Sequence, residues 1–235
     1  MTRVLIIGHG RMGQLVERLA PQHRCQVAGI VKRGDSISGA ARADVAIDFS
    51  TGAAAASNLV ALGNAGISVV IGTTGWTVPE AELRRLAETF RIGVLASANF
   101  DVGLHIFRQA VAKAAAQFAE QPDYRAWIHE VHHVHKKDAP SGTAMLLKDT
   151  MTRAGYPREI AVTSERVGEV PGTHTVGFDG KADTVTFTHT VRDRAVFAHG
   201  ALDVARWLQG RRGWFSMNDF LEARPTWRHV LTGPE

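Results

Sequence analysis

The 235-residue sequence has little of what marks several classes of protein. Its single cysteine, Cys25, excludes an internal disulfide and a four-cysteine zinc site. No run approaches the ~20 consecutive apolar residues of a membrane-spanning helix, and the strongest candidate, 53–71, is interrupted by serine, asparagine and glycine. The first residues lack the apolar core of a signal peptide. We therefore expect a protein of a reducing compartment, most simply the cytoplasm, with no membrane contact.

The charge balance excludes two further classes. Lysine and arginine number 27 against 23 acidic residues, a formal net charge of +4, and 45% of the residues are hydrophobic. A disordered chain would combine low hydrophobicity with a high net charge. Because the basic residues are scattered among acidic ones, we expect small anions as ligands and no nucleic acid.

Short apolar runs alternate with helical patterns over the first hundred residues. Continuous apolar strands that alternate with helices are typical of a parallel sheet covered on both faces. Thr77 and Glu80 fit a capping box at the start of one helix. The predicted strands are 3–7, 25–31, 43–48, 67–71 and 92–96, and the predicted helices follow residue 10 or cover 53–62 and 79–90.

After residue 100 the pattern indicates an α+β block with a largely antiparallel sheet. A helix is predicted from Leu104 to Phe118 and another from about Ser141. Asp179-Gly180 is a turn signal that predicts a hairpin between the last two strands. The predicted strands are 125–131, 160–166, 173–178 and 183–191, and a helical pattern returns at 197–208.

Gly8-His9-Gly10-Arg11-Met12-Gly13 forms a G-x-G-x-x-G motif between a predicted strand and a predicted helix. The first glycine permits a tight turn, the second lets the backbone approach a pyrophosphate, and the third lets helix and strand pack closely. Free amides at the helix N-terminus then hold the anion. The motif predicts dinucleotide binding; the alternative is a glycine-rich turn without a cofactor.

The end of the second strand bears on the choice of cofactor. A dinucleotide fingerprint calls for an acidic residue there, to bind the ribose hydroxyls. Lys32 and Arg33 stand there instead, which favours the 2′-phosphate of NADPH unless both are simply solvated. Asp35 keeps NADH possible.

Residues 129–143 concentrate four histidines and two lysines. A metal site is one interpretation, but we find no carboxylate or cysteine at an obvious ligand spacing and predict no metal. A strand end with surface histidines is the second. The third is an acid–base centre, since imidazole titrates near neutrality and lysine can bind an anion or donate a proton. His132 and His133 can serve one site only if the strand ends near them.

The residues after this cluster favour the acid–base centre. Ser141 is a good N-cap, and Gly142 in the first turn leaves backbone amides open to a ligand. A basic cluster beside a helix N-terminus suits a substrate that carries carboxylates.

With these motifs in view, the chain resembles the dihydrodipicolinate reductases (4-hydroxy-tetrahydrodipicolinate reductases) of lysine and diaminopimelate biosynthesis. The similarity covers nearly the whole chain. The matching motifs are GRMG at 10–13, DFST at 48–51, GTTG at 72–75, ANFDVG at 98–103, EVHHVHKKDAPSGTA at 130–144, PGTHTVGF at 171–178 and FAHGAL at 197–202.

The resemblance implies an α/β protein with a Rossmann-type, parallel-sheet dinucleotide-binding domain, 1–101, completed by 195–235. An α+β domain for substrate binding and oligomerisation, 102–194, would be inserted, and the assembly would be a homotetramer. Segments shorter than in the family, such as 159–172, bear on that assembly, and Lys32 stands where many members have an acidic residue.

The resemblance also implies roles for individual residues. His132 would be the catalytic histidine and Lys136 the proton donor, although the sequence does not decide which of them delivers the proton. His133 would bind the substrate, and the backbone of Gly142 and Thr143 would hold a carboxylate. The residues implied to line the cofactor are Gly8, His9, Gly10, Arg11, Met12, Gly13, Lys32, Arg33, Gly72, Thr73, Thr74, Ser97, Ala98, Asn99 and Phe100.

The implied reaction is loss of water from a cyclic hydroxy diacid and hydride transfer to its C4 from NADPH, or alternatively NADH. The product would be tetrahydrodipicolinate. Two other functions share the glycine loop: an amino-acid dehydrogenase of the same build, and a dinucleotide sensor without turnover. Neither requires His132, Lys136 and Gly142 together.

Overall fold

The computed structural model describes residues 1–37 and 42–223. Backbone contacts divide the chain into two compact units. The first comprises residues 1–102 together with the chain from Ala195 onward, and the second comprises residues 103–194. The final part of the predicted dinucleotide-binding domain, 224–235, lies outside the described residues.

Ten strands and seven α-helices are present in the described ranges. The strands are β1 Thr2–Ile7, β2 Cys25–Val31, β3 Val45–Asp48, β4 Ser68–Ile71, β5 Gly93–Ala96, β6 Arg125–His132, β7 Ile160–Arg166, β8 Thr173–Asp179, β9 Thr184–Thr190 and β10 Gly213–Phe215. The helices are α1 Arg11–Leu19, α2 Ala55–Asn64, α3 Glu80–Phe90, α4 Val102–Ala119, α5 Gly142–Arg153, α6 Ala195–Leu208 and α7 Met217–Glu222.

The first unit is built on a six-stranded sheet in the order β10-β5-β4-β3-β1-β2. Every strand pair in it is parallel. All residues of β3 and β4 are buried, which is why their sequences are continuously apolar except for Asp48 and Ser68. The predicted parallel α/β sheet is confirmed.

Two features of this unit differ from the prediction. Strand β10 and helix α7 were not predicted, because three and six residues are too few for a periodic signal. The capping box at Thr77 is wrong: Pro79 is the N-cap of α3, with no side-chain cap hydrogen bond. Pro79 itself has extended backbone, with φ −60° and ψ 146°, so the helix begins at Glu80.

The second unit contains a four-stranded sheet in the order β7-β6-β8-β9. Strand β6 pairs parallel with β7 and antiparallel with β8, and the β8–β9 hairpin is confirmed. Helices α4 and α5 contribute Phe107, Val111 and Leu147 to one core with Ile128 and Phe178 of the sheet. The α+β prediction with a largely antiparallel sheet is therefore correct.

Strand register places a polar row on this same core-facing side. Glu130 pairs with Ser164 of β7 and with His174 of β8, and His174 pairs with His189 of β9. Two residues further along β6, His132 pairs with Arg166. Because alternate residues of a strand share a face, these side chains continue the apolar core as a polar cluster.

Within the described ranges, no helix combines the length and apolar character needed to cross a membrane.

Candidate active site

The glycine loop is shaped by two glycines and left open by the third. Gly8 has φ +86°, and a Cβ on it would lie 2.6 Å from the Phe49 carbonyl oxygen. A Cβ on Gly13 would lie 2.0 Å from the Gly8 carbonyl oxygen, so helix α1 meets the backbone of the loop after β1 closely there. Nothing lies within 4 Å of a Cβ on Gly10, which leaves room for a ligand group.

Two cavities open at the carboxyl ends of the parallel strands, where open α/β sheets bind ligands. One of about 610 Å³ is lined by Gly8 to Gly10, by Lys32 and Arg33, and by Phe49 to Thr51. The other, of about 320 Å³, is lined by Gly10 to Met12 and by Gly72 to Thr74. Gly10 is the N-cap of α1 and provides no side-chain cap, so amides of the first turn face a ligand-sized space.

The residues after β2 that bear on the choice between NADPH and NADH all lie at the larger cavity. Lys32, Arg33 and Asp35 all line it and are all exposed. Asp35 Oδ2 accepts a hydrogen bond of 2.8 Å from the Lys32 backbone N–H. This bond fixes the turn with the carboxylate beside the two cations.

Asp48, which the sequence analysis did not select, holds two loops of the cavities together. Its side chain is buried and accepts hydrogen bonds from the Ser50 backbone N–H (2.8 Å), Asn58 Nδ2 (2.9 Å) and Thr73 Oγ1 (3.0 Å). The carboxylate therefore joins the loop after β3 to the loop after β4. The sequence feature that could have identified Asp48 is an acidic residue at the end of an apolar strand.

Residues 97–100 line neither of these cavities. Ser97 Oγ accepts from the Asn99 backbone N–H (3.2 Å) and donates to the Asn99 carbonyl (2.6 Å), which forms a tight turn. Phe100 is 1% exposed, and its ring meets that of Phe49 edge-on. The Phe100 ring thus belongs to the core, and Ala98 adds no polar side chain.

In the second unit, His132 is paired with a buried carboxylate. Its Nδ1–H donates to Glu130 Oε2, and Glu130 is 0% exposed. Glu130 Oε1 accepts from Arg166 Nη2 (2.9 Å) and from the Ser141 backbone N–H (3.2 Å). Strand β6 ends at His132, so His133 is released from strand geometry, as the sequence required for both histidines to serve one site.

These contacts set the charge of the pair. Burial would raise the pKa of Glu130, but hydrogen bonds from Arg166, Ser164 and His132 outweigh it and lower that pKa to about 2. Burial lowers the pKa of His132, and the positive charges of Lys136 and Arg166 add to this effect against the opposing Glu130. At neutral pH the pair is an ionised carboxylate and a neutral imidazole.

His174, also missed in the sequence, lies beside His132. The two rings are 5.1 Å apart, and His174 Nε2 is 3.0 Å from Ser141 Oγ. Ser141 Oγ accepts the Ala144 backbone N–H as the N-cap of α5, so its own proton is directed to His174. Burial, with the charge of His132, lowers the pKa of His174 to about 4, which keeps this ring neutral.

A carboxylate already occupies the N-terminus of α5. Asp138 Oδ1 pairs with Lys136 Nζ at 2.7 Å, and Asp138 Oδ2 accepts the Gly142 backbone N–H at 3.3 Å. Lys136 and Gly142 were both selected from the sequence, and the structure brings them to a common carboxylate. Thr143 follows in the same helical turn.

Arg166 and Arg194 complete the surroundings of this cluster. Arg166 Nη2 donates to the Asp138 carbonyl oxygen as well as to Glu130. Arg194 Nη2 lies 3.4 Å from His133 Nε2. Arg166 and His174 were missed because only strand register, which the sequence does not display, brings them to His132. Glu130 was missed although it lies two residues before His132 on the same strand face.

Glu130, His132 and His174 place possible metal-ligand atoms within 4.8 Å of one another, a trio that the sequence analysis did not foresee. Two observations favour acid–base chemistry over a metal. Both Glu130 oxygens already accept hydrogen bonds, and Arg166 directs a positive charge at the carboxylate. A cation there would be repelled by the guanidinium.

Comparisons with known proteins bear on both units. The model for "Dihydrodipicolinate reductase, N-terminus" matches residues 2–100, and that for "Dihydrodipicolinate reductase, C-terminus" matches residues 103–221. A curated 4-hydroxy-tetrahydrodipicolinate reductase from Christiangramia forsetii is 33% identical, covering 93% of this chain and 97% of the relative. One from Archaeoglobus fulgidus is 36% identical, covering 94% and 100%.

A solved structure shares the fold. The dipicolinate-bound dihydrodipicolinate reductase from Paenisporosarcina sp. TG-14 matches with a TM-score of 0.79 at 22% identity, over 92% of this chain and 97% of that chain. A probable dehydrogenase from Thermotoga maritima matches less closely, with a TM-score of 0.57 at 9% identity over 92% of each chain.

Proposed function

We propose that this chain, which belongs to the dihydrodipicolinate reductase family, converts 4-hydroxy-tetrahydrodipicolinate to tetrahydrodipicolinate with hydride from a reduced nicotinamide dinucleotide. The reaction belongs to lysine and diaminopimelate biosynthesis. It removes water from a cyclic hydroxy diacid and adds hydride at C4 of the ring.

The observation that carries this proposal is the carboxylate held at α5. Lys136 Nζ and the Gly142 backbone N–H bind the two oxygens of Asp138, so this position has the charge and the donors for a carboxylate. The substrate has two carboxylates. One of them would replace Asp138 there and bring the ring towards His132.

Roles for the cluster follow from this placement. His132 acts on the substrate ring, Lys136 supplies a proton or holds the carboxylate, and Gly142 and Thr143 offer backbone N–H groups. His133 contacts the substrate from the residue after β6, where Arg194 adds positive charge. Small dicarboxylates such as dipicolinate should bind at the same place.

We also propose that NADPH is preferred over NADH. Lys32 and Arg33 line the same cavity as the glycine loop, where a 2′-phosphate would meet two cations. Asp35, in that cavity too, would accept ribose hydroxyls and so allow NADH.

We further propose that the chain assembles as a homotetramer in the cytoplasm. The side of the second unit's sheet opposite its core carries half-buried Trp127 and Val131, half-buried threonines on β8 and a row of exposed threonines on β9. Such a face, with large apolar side chains only half covered, is suited to packing against a copy of itself.

A coupled assay tests the reaction. Dihydrodipicolinate synthase generates the unstable substrate in place, and loss of nicotinamide absorbance is followed with NADPH and NADH separately. We expect oxidation that depends on the synthase and is faster with NADPH. Folded protein that binds a dinucleotide but oxidises neither cofactor would contradict the proposed function.

A further inference from the structure

The buried ring of His132 is held in one tautomer by Glu130. Its Nδ1 is committed to Glu130, and among the residues that the structure describes its Nε2 has no hydrogen-bond partner. A neutral imidazole whose Nδ1 carries the proton has its lone pair on Nε2. The fixed tautomer therefore directs a proton acceptor, rather than a donor, away from the carboxylate.

We propose that His132, held by Glu130 as its positioning residue, removes the C5 proton of the hydroxy substrate and so drives the loss of water that precedes hydride transfer. This proposal rests on the proposed function and assigns the dehydration half of it. The C5 proton is acidic because the carbanion it leaves is conjugated with the ring imine at C6.

The step balances with the groups already named. The C5–H bond breaks as His132 Nε2 takes the proton, the electron pair forms the C4=C5 double bond, and the C4–O bond breaks. The departing hydroxide takes a proton from Lys136 and leaves as water. After hydride reaches C4, the His132 imidazolium returns its proton to C5, and solvent restores the proton of Lys136.

The charges around His132 suit a base that becomes cationic only briefly. Glu130 on β6 stabilises the imidazolium, whereas Arg166 on β7 and Lys136 in the following loop oppose it. His174 on β8 lies beside the same ring and is kept neutral mainly by burial. His189 on β9 acts on His174 in turn. Glu130 is therefore the group that makes proton uptake by His132 favourable, and Arg166 keeps Glu130 ionised.

The test uses the dependence of rate on reductase concentration. The substrate is accumulated with the synthase until its supply is exhausted, and reductase is then added in increasing amounts with NADPH. For an enzyme that dehydrates its own substrate, the rate rises with reductase concentration. For one that only transfers hydride, the rate reaches a plateau set by spontaneous loss of water.

Three variants make the test specific. E130Q retains the shape but removes the charge, and H132Q removes the base without leaving Arg166 unpaired. E165Q is the matched control, an exposed β7 carboxylate that pairs with His129 rather than with His132. At low reductase concentration we expect E130Q and H132Q to be slower by roughly 100-fold or more, and at high concentration both should reach the plateau. E165Q should behave as the unaltered chain does.

A pH profile separates positioning from a structural role. His132 must be neutral to accept a proton, so the rate falls as the pH drops through its pKa. Because Glu130 raises that pKa, the acid limb should move to lower pH in E130Q and stay in place in E165Q.

The outcomes are distinct. Rates for H132Q and E130Q that stay proportional to reductase concentration, with no plateau, would overturn the proposal and leave the pair a role in binding or hydride transfer. An acid limb that does not move in folded E130Q would overturn the role of Glu130. No oxidation by the unaltered chain would instead overturn the proposed function.

Discussion

The two units build their functional surfaces by opposite means. In the first, backbone does the shaping: glycines leave space at the strand ends, and the helix α1 offers amides. In the second, side chains do it: Glu130, His132, His174 and Arg166 face one another at the end of a sheet. The first arrangement depends on local spacing, and the second depends on which strands pair and in which register. The difference predicts that single substitutions will affect the two in separate ways.

The largest expected effect is on the side-chain surface. In His132→Gln, turnover in the coupled assay should fall by about 10²- to 10⁴-fold, the usual contribution of a general acid or base. Dinucleotide affinity, measured by nicotinamide fluorescence, should be unchanged, because the glycine-loop cavities are lined by residues of the first unit. His129→Gln, on the other face of β6, is the control. Parallel loss of turnover and cofactor affinity in His132→Gln would contradict the separation.

The backbone surface is tested by two glycines of one loop. Gly13→Ala would place a Cβ 2.0 Å from the Gly8 carbonyl oxygen, so the free energy of unfolding should fall by about 3 kcal/mol. Gly10→Ala meets no atom within 4 Å and should cost less than about 1 kcal/mol as an N-cap change. Its methyl group enters the cavity, so dinucleotide binding should weaken about tenfold, or ~1.4 kcal/mol. Denaturant unfolding and cofactor titration of both variants measure these effects, and equal stability would refute the division of roles.

How far the sequence could predict the molecule follows the same division. The strand–helix alternation and the glycine loop could be predicted from the sequence because each depends on residues that are close neighbours in the chain. His132, Lys136 and Gly142 could be selected together as candidates because they are close in sequence. Glu130 stands two residues before His132, on the same strand face, yet its importance depends on Arg166, 36 residues further along the chain. No pattern of neighbouring residues in the sequence predicts that contact.

The choice between NADPH and NADH tests the first unit just after β2, where side chains as well as backbone line the cavity. Lys32→Glu should lower the NADPH-to-NADH ratio of kcat/KM by about tenfold, since a carboxylate repels the 2′-phosphate and accepts ribose hydroxyls. Lys113→Glu, an exposed lysine of α4, carries the same charge change as a control. An unchanged ratio in Lys32→Glu would show that Lys32 does not contact the phosphate.

The smallest expected effect concerns the N-terminus of α5, where the second unit uses a backbone N–H as well as side chains. Asp138 accepts from the Gly142 backbone N–H and pairs with Lys136, so a substrate carboxylate that binds as proposed would have to displace it. Asp138→Asn removes the competing charge, and dipicolinate should bind about two- to fivefold more tightly, a modest gain because the group is exposed and screened. Asp149→Asn, an exposed carboxylate of α5 paired with Arg153, is the matched control for calorimetric titration. Weaker binding in Asp138→Asn would mean that Asp138 orients Lys136 for the substrate instead of competing with it. The anion site at the N-terminus of α5 would then depend on side chains as well as on backbone N–H groups.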